Sequence, residues 1–214
     1  MQTLNKSGQQ SLTPHATLER LLEGNRRFRE RKMIERDLLQ QVEETSGGQF
    51  PCAVILTCID SRTPPELVFD QGLGDVFSVR LAGNVVNEDA LGSMEFACKV
   101  AGAKLVLVVG HTHCGAVKGA CDGVRLENLT YTMEKIEPVV ARVREGWSQG
   151  EATSAEPRFV QAVARENVGA VREEILRRSS VLREMCEAGE IEIAGALYDV
   201  ESGGVELVDS AVQG

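Results

Sequence analysis

Short apolar runs separated by longer stretches of helical period mark this chain as an alternation of strands and helices. Ala53 to Thr57 (Ala-Val-Ile-Leu-Thr) is almost continuously apolar, the pattern of a strand buried on both faces. Asp75 to Leu81 reads as a second strand, Lys104 to Val109 as the clearest one, and Glu190 to Val200 as a further one. Glu201-Ser202-Gly203-Gly204 is a turn, after which Val205 to Val208 is expected to return as an edge hairpin. Between the strands, Asp89 to Gly102 reads as a helix with Leu91, Met94, Phe96, Ala97 and Val100 as its apolar residues. Leu129 to Glu145 and Val168 to Ala188 are helical by the same criterion. Ahead of the first strand, Thr13-Pro14 predicts a helix start, with Thr as N-cap and Pro at the first helical position. Leu18, Leu21, Leu22 and Phe28 form one apolar side of that helix, Ile34 to Val42 reads as a second helix, and Ser46-Gly47-Gly48 breaks the chain. That apolar side needs a cover, which either the chain's own core or a second subunit can supply.

Strands alternating with helices imply an α/β fold: a mostly parallel central β-sheet flanked by helices, with an N-terminal helical arm. The expected organisation is a single domain over 1–214, divided into an arm at 13–45 and an α/β core at 49–208. In such sheets ligands bind beyond the carboxyl ends of the strands. Composition narrows the class. With 43% hydrophobic residues and only 4% aromatics in 214 residues, the core is aliphatic and can be sizeable. A net charge of −9 without a sustained basic cluster argues against nucleic acid. The basic stretch from Arg26 to Lys32 is interrupted by Glu30 and reads as a solvated helix face. No run reaches the ~18 apolar residues of a membrane span, and Met1 to Leu12 is polar, so neither membrane nor signal peptide is expected. Six dispersed cysteines suit a reducing, cytoplasmic setting.

The chemistry concentrates in two segments that each follow a strand: Cys58-Ile59-Asp60-Ser61-Arg62 and His111-Thr112-His113-Cys114. Two thiols and an imidazole form a three-ligand zinc set, which leaves a fourth position open to water. Two thiolates neutralise the charge of Zn2+, so water bound there is expected to acidify less than in an all-His site. Asp60, two residues beyond Cys58, can reach the metal or its water. The forked guanidinium of Arg62 can pair with it bidentately. Held by Arg62, Asp60 stays ionised and off the metal; released, it becomes a fourth ligand and closes the site.

Cys58-x-Asp60-x-Arg62 followed by His111-x-x-Cys114 resembles the signature of the β-class carbonic anhydrases. The similarity extends through 50–62, 75–84 and 104–118, and covers roughly 13–208. The resemblance implies zinc-dependent, reversible hydration of carbon dioxide to bicarbonate and a proton, by attack of zinc-bound hydroxide, with one zinc per subunit. It implies Cys58, His111 and Cys114 as metal ligands, with Asp60 as the conditional fourth, and Asp60 and Arg62 as the catalytic dyad. Gln49, Phe77, Phe96 and Gly115 fall at substrate-binding positions. Phe96 stands where plant-like members carry Tyr, so a hydroxyl is missing. Members that close through Asp ligation carry a Trp three residues before the first Cys, as part of a noncatalytic bicarbonate pocket. Here that position is Ile55, although Arg80 remains at the pocket's Arg position, and the chain is placed with the open, plant-like type. The resemblance also implies a homodimer or dimer-based oligomer, with the active site at the subunit interface and the helix after Thr13 reaching the neighbour.

Plainer readings stand beside these. His113 is expected at the rim or near the ligands, with proton transfer as the sharper alternative. His15 reads as surface, and Cys52, Cys98, Cys121 and Cys186 as small buried hydrophobes. Two other functions share the motif: hydrolysis of carbon disulfide or carbonyl sulfide, and a noncatalytic zinc domain in which Asp60 stays bound.

Overall fold

In the computed structural model, which describes residues 3–208, β1 (Ala53–Thr57) is the axis of assembly. All five of its residues are buried, which is why the run carries no polar alternation. It pairs in parallel with β2 (Val76–Arg80) on one side and β3 (Leu105–His111) on the other. β3 pairs in parallel with β4 (Glu192–Tyr198), and β5 (Val205–Leu207) closes the row antiparallel to β4. The order β2-β1-β3-β4-β5 is the mostly parallel sheet that the alternation implied.

The helices are α1 (Lys6–Ser11), α2 (Pro14–Arg29), α3 (Leu38–Thr45), α4 (Pro65–Val68), α5 (Glu88–Glu95), α6 (Gly115–Cys121), α7 (Leu129–Glu145), α8 (Pro157–Arg178) and α9 (Ser180–Glu187). Side chains alternate across each strand, so β1 and β3 feed two cores. Val54, Leu56, Val106 and Val108 pack with residues of α5, α8 and α9, such as Met94, Ile175 and Leu182. Ala53, Ile55, Leu105 and Leu107 pack with Leu18, Leu21, Val68 and Phe69. A third cluster, of α6, α7 and α8, contains Cys58 and Cys114. α8 approaches the sheet closely: a Cβ on Gly110 or Gly195 would stand 2.7 Å from the Val168 side chain. Glycine in these strand positions allows the helix to approach.

Several boundaries differ from the pattern reading, each for a local reason. The second arm helix begins at Leu38, because Asp37 caps it by accepting from the Gln40 N–H at 3.0 Å. The apolar period over 168–188 is two helices. Ser179 leaves helical geometry and caps α9 with its own hydroxyl, while α8 starts earlier, at Pro157. The helix expected to Gly102 is α-helical to Glu95 and then widens into a π turn over Phe96–Val100. β3 extends through His111, so the first ligand of the second motif is itself a strand residue. The polar stretch before Thr13 contains α1, which Asn5 caps.

The arm is fastened to its own sheet. Thr13 caps α2, and Leu18 and Leu21 are buried on the chain's own core, while Leu22 and Phe28 of the same side are half-buried. At Gly24 an added Cβ would lie 1.8 Å from the Phe69 carbonyl oxygen, so α2 and α4 meet backbone to backbone. Beside this contact, the fully buried Asp70 accepts from Arg27 Nε at 2.6 Å, from Arg36 Nη1 and from the Ile34 N–H. Burial pushes its carboxyl pKa up. The Arg27, Arg36 and Ile34 hydrogen bonds more than offset this and leave the pKa below the ordinary value.

Asp70→Asn should therefore cost about 3 kcal/mol in urea unfolding at pH 7, since it removes the buried carboxylate charge that Arg27 and Arg36 share. The sign with pH follows from the depressed folded-state value. The contribution is complete above the unfolded carboxylate pKa of about 3.9 and is lost as pH falls through the folded one. The stabilities of variant and parent should thus converge in acid.

Candidate metal centre

The β1–β3 register brings the two motifs together. Thr57, the last residue of β1, lies between Val109 of β3 and Arg80 of β2. Cys58 thus emerges beside the end of β3, where His111 is the final strand residue. Thr112 and His113 then reverse the chain, with His113 in the left-handed region at φ 57°, and deliver Cys114 as the N-cap of α6. The sulfurs of Cys58 and Cys114 are 3.9 Å apart, and all three donor atoms, His111 included, lie within 4.8 Å of one another.

The donor atoms fit zinc. His111 Nδ1 lies 2.8 Å from the Thr112 carbonyl oxygen. A carbonyl only accepts, so Nδ1 carries the proton and Nε2 presents a lone pair. Among the described residues that buried Nε2 has no hydrogen-bond partner. Such an orphan costs free energy unless a ligand satisfies it. Tetrahedral zinc with Zn–S bonds of ~2.3 Å separates two sulfurs by about 3.8 Å, close to the spacing found. A backbone N–H supports the first sulfur: Gly83 donates to Cys58 Sγ at 3.3 Å. A hydrogen bond from Cys114 draws the Cys58 thiol pKa down, while the same bond and burial push Cys114 up. The two sulfurs share a proton that a cation would displace.

Asp60 sits beside these donors with its carboxylate held by Arg62. Its Oδ1 accepts from the Arg62 backbone N–H at 3.0 Å and Nε at 2.9 Å, and its Oδ2 accepts from Nη2 at 2.8 Å. Oδ2 remains 4.0 Å from His111 Nε2. The Arg62 guanidinium holds this carboxyl well below the usual carboxylate range. The loop that carries it is pinned in turn. Arg80 donates to the carbonyls of Cys58 at 3.0 Å and Asp60 at 2.5 Å, and the Thr63 hydroxyl donates to the Asp60 carbonyl at 3.0 Å.

Comparison with known proteins agrees with this geometry. The family model described as carbonic anhydrase matches residues 53–205. Carbonic anhydrase 2 of Mycobacterium tuberculosis is 36% identical over 92% of this chain and 93% of its own length. The carbonic anhydrase of Mycolicibacterium smegmatis is 32% identical over 91% of this chain and 93% of its own. The crystal structure of the β-carbonic anhydrase CafA of Aspergillus fumigatus superposes with a TM-score of 0.73 at 27% identity, covering 82% of this chain and 83% of that one. The chain belongs to the β-class carbonic anhydrases.

The remaining residues that the family resemblance singled out divide into two groups. Gly115 follows Cys114 directly and opens α6 at the centre. Gln49 precedes β1, at the end of the sheet opposite the metal donors, and its Cβ faces Gly74. Phe77 pairs with Val54, four residues before Cys58, or about 13 Å back along the strand at ~3.3 Å per residue. Phe96 packs edge-on against Phe77 at 6.2 Å between ring centroids and is 54% exposed. Within one chain, Gln49, Phe77 and Phe96 are thus separated from the Cys–His–Cys group. His113 lies at the rim, 3.0 Å from Glu201. Ile55 is wholly buried, and Arg80 is engaged with the two loop carbonyls. His15 is exposed; Cys52, Cys98 and Cys121 are buried, whereas Cys186 is partly exposed.

The supporting Thr63 and the Thr112–Asp199 hydrogen bond of 3.1 Å were not apparent from sequence. Thr112 and Asp199 are 87 residues apart and share no motif. Cys114→Ser should lower zinc occupancy, measured by metal analysis after dialysis, to well below one ion per chain while the far-ultraviolet spectrum is preserved.

Proposed function

We propose that this chain catalyses the reversible hydration of carbon dioxide to bicarbonate and a proton, with one zinc ion per subunit held by Cys58, His111 and Cys114. The observation that carries the reading is the position of Asp60, clamped bidentately by Arg62 and 4.0 Å from the His111 Nε2 lone pair. When bound, zinc supplies Lewis acidity that brings the pKa of a water molecule from ~15.7 towards 7. The chain's own groups do the rest. Cys58 and Cys114 offset the charge of the ion, and neutral His111 adds none. Asp60 Oδ2 accepts a hydrogen bond from the attacking water and so orients it. Arg62 keeps that oxygen ionised and off the metal. One oxygen adds to the carbon of carbon dioxide, and the proton released passes to buffer. This arrangement, together with Ile55 in place of Trp, supports the open type.

Gln49, Phe77 and Phe96 act on substrate only if a second copy carries them to the Cys–His–Cys group, so the proposal includes a homodimer or a dimer-based oligomer. The exposed Phe96 and Val100 of the π turn, and the exposed Leu38, Leu39 and Val42 of α3, support such a contact. The cytoplasm is the proposed location. Six free cysteines suit a reducing compartment, and no helix of the described residues is long and apolar enough to cross a membrane.

Stopped-flow hydration of carbon dioxide by metal-quantified protein should be fast at both neutral and alkaline pH. Absence of activity in the zinc-loaded protein would overturn the assignment, and activity confined to alkaline pH would overturn the open type. Arg62→Ala should retain zinc yet lose about 100-fold or more in kcat/KM, because Asp60 is then free to bind the metal. Sedimentation should give a dimer or larger species. A fully active monomer would remove Gln49, Phe77 and Phe96 from the site.

A further inference from the structure

We propose that Asp199 is a positioning residue for the metal centre: through the Thr112 side chain it fixes the carbonyl that holds His111 in its ligand orientation. The inference rests on the zinc reading above and extends it to the turn between β4 and β5.

His111 is oriented by one hydrogen bond, from Nδ1 to the Thr112 carbonyl at 2.8 Å. In metal sites the acceptor at this place sets the tautomer and the ring direction. Here the acceptor is a peptide group, so the orientation of the ring depends on what holds the peptide. The Thr112 N–H donates to the Tyr198 carbonyl at 2.9 Å, and its hydroxyl donates to Asp199 Oδ1 and accepts from the Val200 N–H, both at 3.1 Å. Thr112 is itself buried. The next residue, His113, adopts a left-handed conformation that costs free energy in a non-glycine residue and persists only where its surroundings enforce it. The 3.0 Å contact of its ring with Glu201 comes from the same turn.

Asp199 is preorganised for this role. Its Oδ1 also accepts from the Glu201 N–H at 3.1 Å, its Oδ2 accepts from the Ser202 hydroxyl at 2.6 Å, and its N–H donates to the Gly204 carbonyl at 2.8 Å. A carboxylate held at this many points gives the Thr112 hydroxyl one direction in which to donate. Without it, Thr112 keeps its backbone bond to Tyr198 and the Val200 contact, but the torsion that aims its carbonyl at His111 loses a restraint.

The test measures zinc affinity by chelator competition and records the absorption bands of the cobalt-substituted protein for Asp199→Ala, Asp199→Asn, Thr112→Val and the double variant Asp199→Ala/Thr112→Val. Asp199→Ala should weaken zinc binding by about 10- to 100-fold and shift the cobalt bands. Asp199→Asn should recover most of the affinity, because its amide oxygen accepts the same hydrogen bond. The double variant should be no weaker than the weaker single one, since the Thr112–Asp199 bond that Asp199→Ala removes is already lost in Thr112→Val. A drop in melting temperature with unchanged affinity and unchanged bands would make Asp199 merely structural and overturn the proposal. If Asp199→Ala does not fold, Thr112→Val decides: unchanged zinc affinity there overturns it equally. Unsubstituted protein that takes up neither metal would overturn the zinc reading itself, and this inference with it.

Discussion

The register between β1 and β3 is the constraint on which the site depends. Thr57 opposite Val109 sets Cys58 beside the strand end that carries His111, and a one-residue slip would turn every side chain of β1 to the other face. The register is itself enforced by burial. Val54 and Leu56 belong to one core and Ala53 and Ile55 to the other, so no shifted pairing keeps both cores filled. The same packing that stabilises the sheet therefore sets the spacing of two candidate metal ligands 53 residues apart in the chain.

Around that pairing, short polar contacts turn proximity into a centre. Two thiols and an orphaned imidazole nitrogen lie buried together, an arrangement that is costly without a cation and favourable with one. The loops that carry them are held mainly through backbone carbonyls. Arg80 and Thr63 hold Cys58 and Asp60, while the β4–β5 turn holds Thr112. Asp60 and Thr112 are the exceptions: Arg62 meets the Asp60 carboxylate directly, and Thr112 is held by its N–H and hydroxyl. These contacts spare His111 Nε2, and the Arg62 clamp holds the Asp60 carboxylate 4.0 Å from it.

The arm illustrates a division of surface. α2 is committed to its own sheet through Leu18 and Leu21, through the close contact at Gly24 and through the buried Asp70 cluster. α3 and the π turn keep their apolar residues outward. Covering its own core with one arm helix leaves the apolar residues of the other, together with Phe96, exposed.

Period and motif alone determined the α/β class, the strand cores and the three donor-bearing residues that the fold brings together. Alternation of buried strands with helices is a local signal, and the Cys-x-Asp-x-Arg and His-x-x-Cys segments each lie within a few residues. The split at Ser179, the start at Leu38 and the π turn at Phe96 depend on side-chain capping and on backbone geometry that hydrophobic period does not encode. The open direction of Asp60 was foreseeable from Arg62 two residues on, since that contact is local. The roles of Arg80, Thr112 and Asp199 were decided by tertiary structure, because each acts through a hydrogen bond to a residue brought close only when the strands align. So too was the separation of Gln49 and Phe77 from the thiols within one chain. Gln49 precedes β1, whose full length separates it from Cys58, and Phe77 pairs with Val54 well before the strand's end, so a rigid strand keeps both from the thiols.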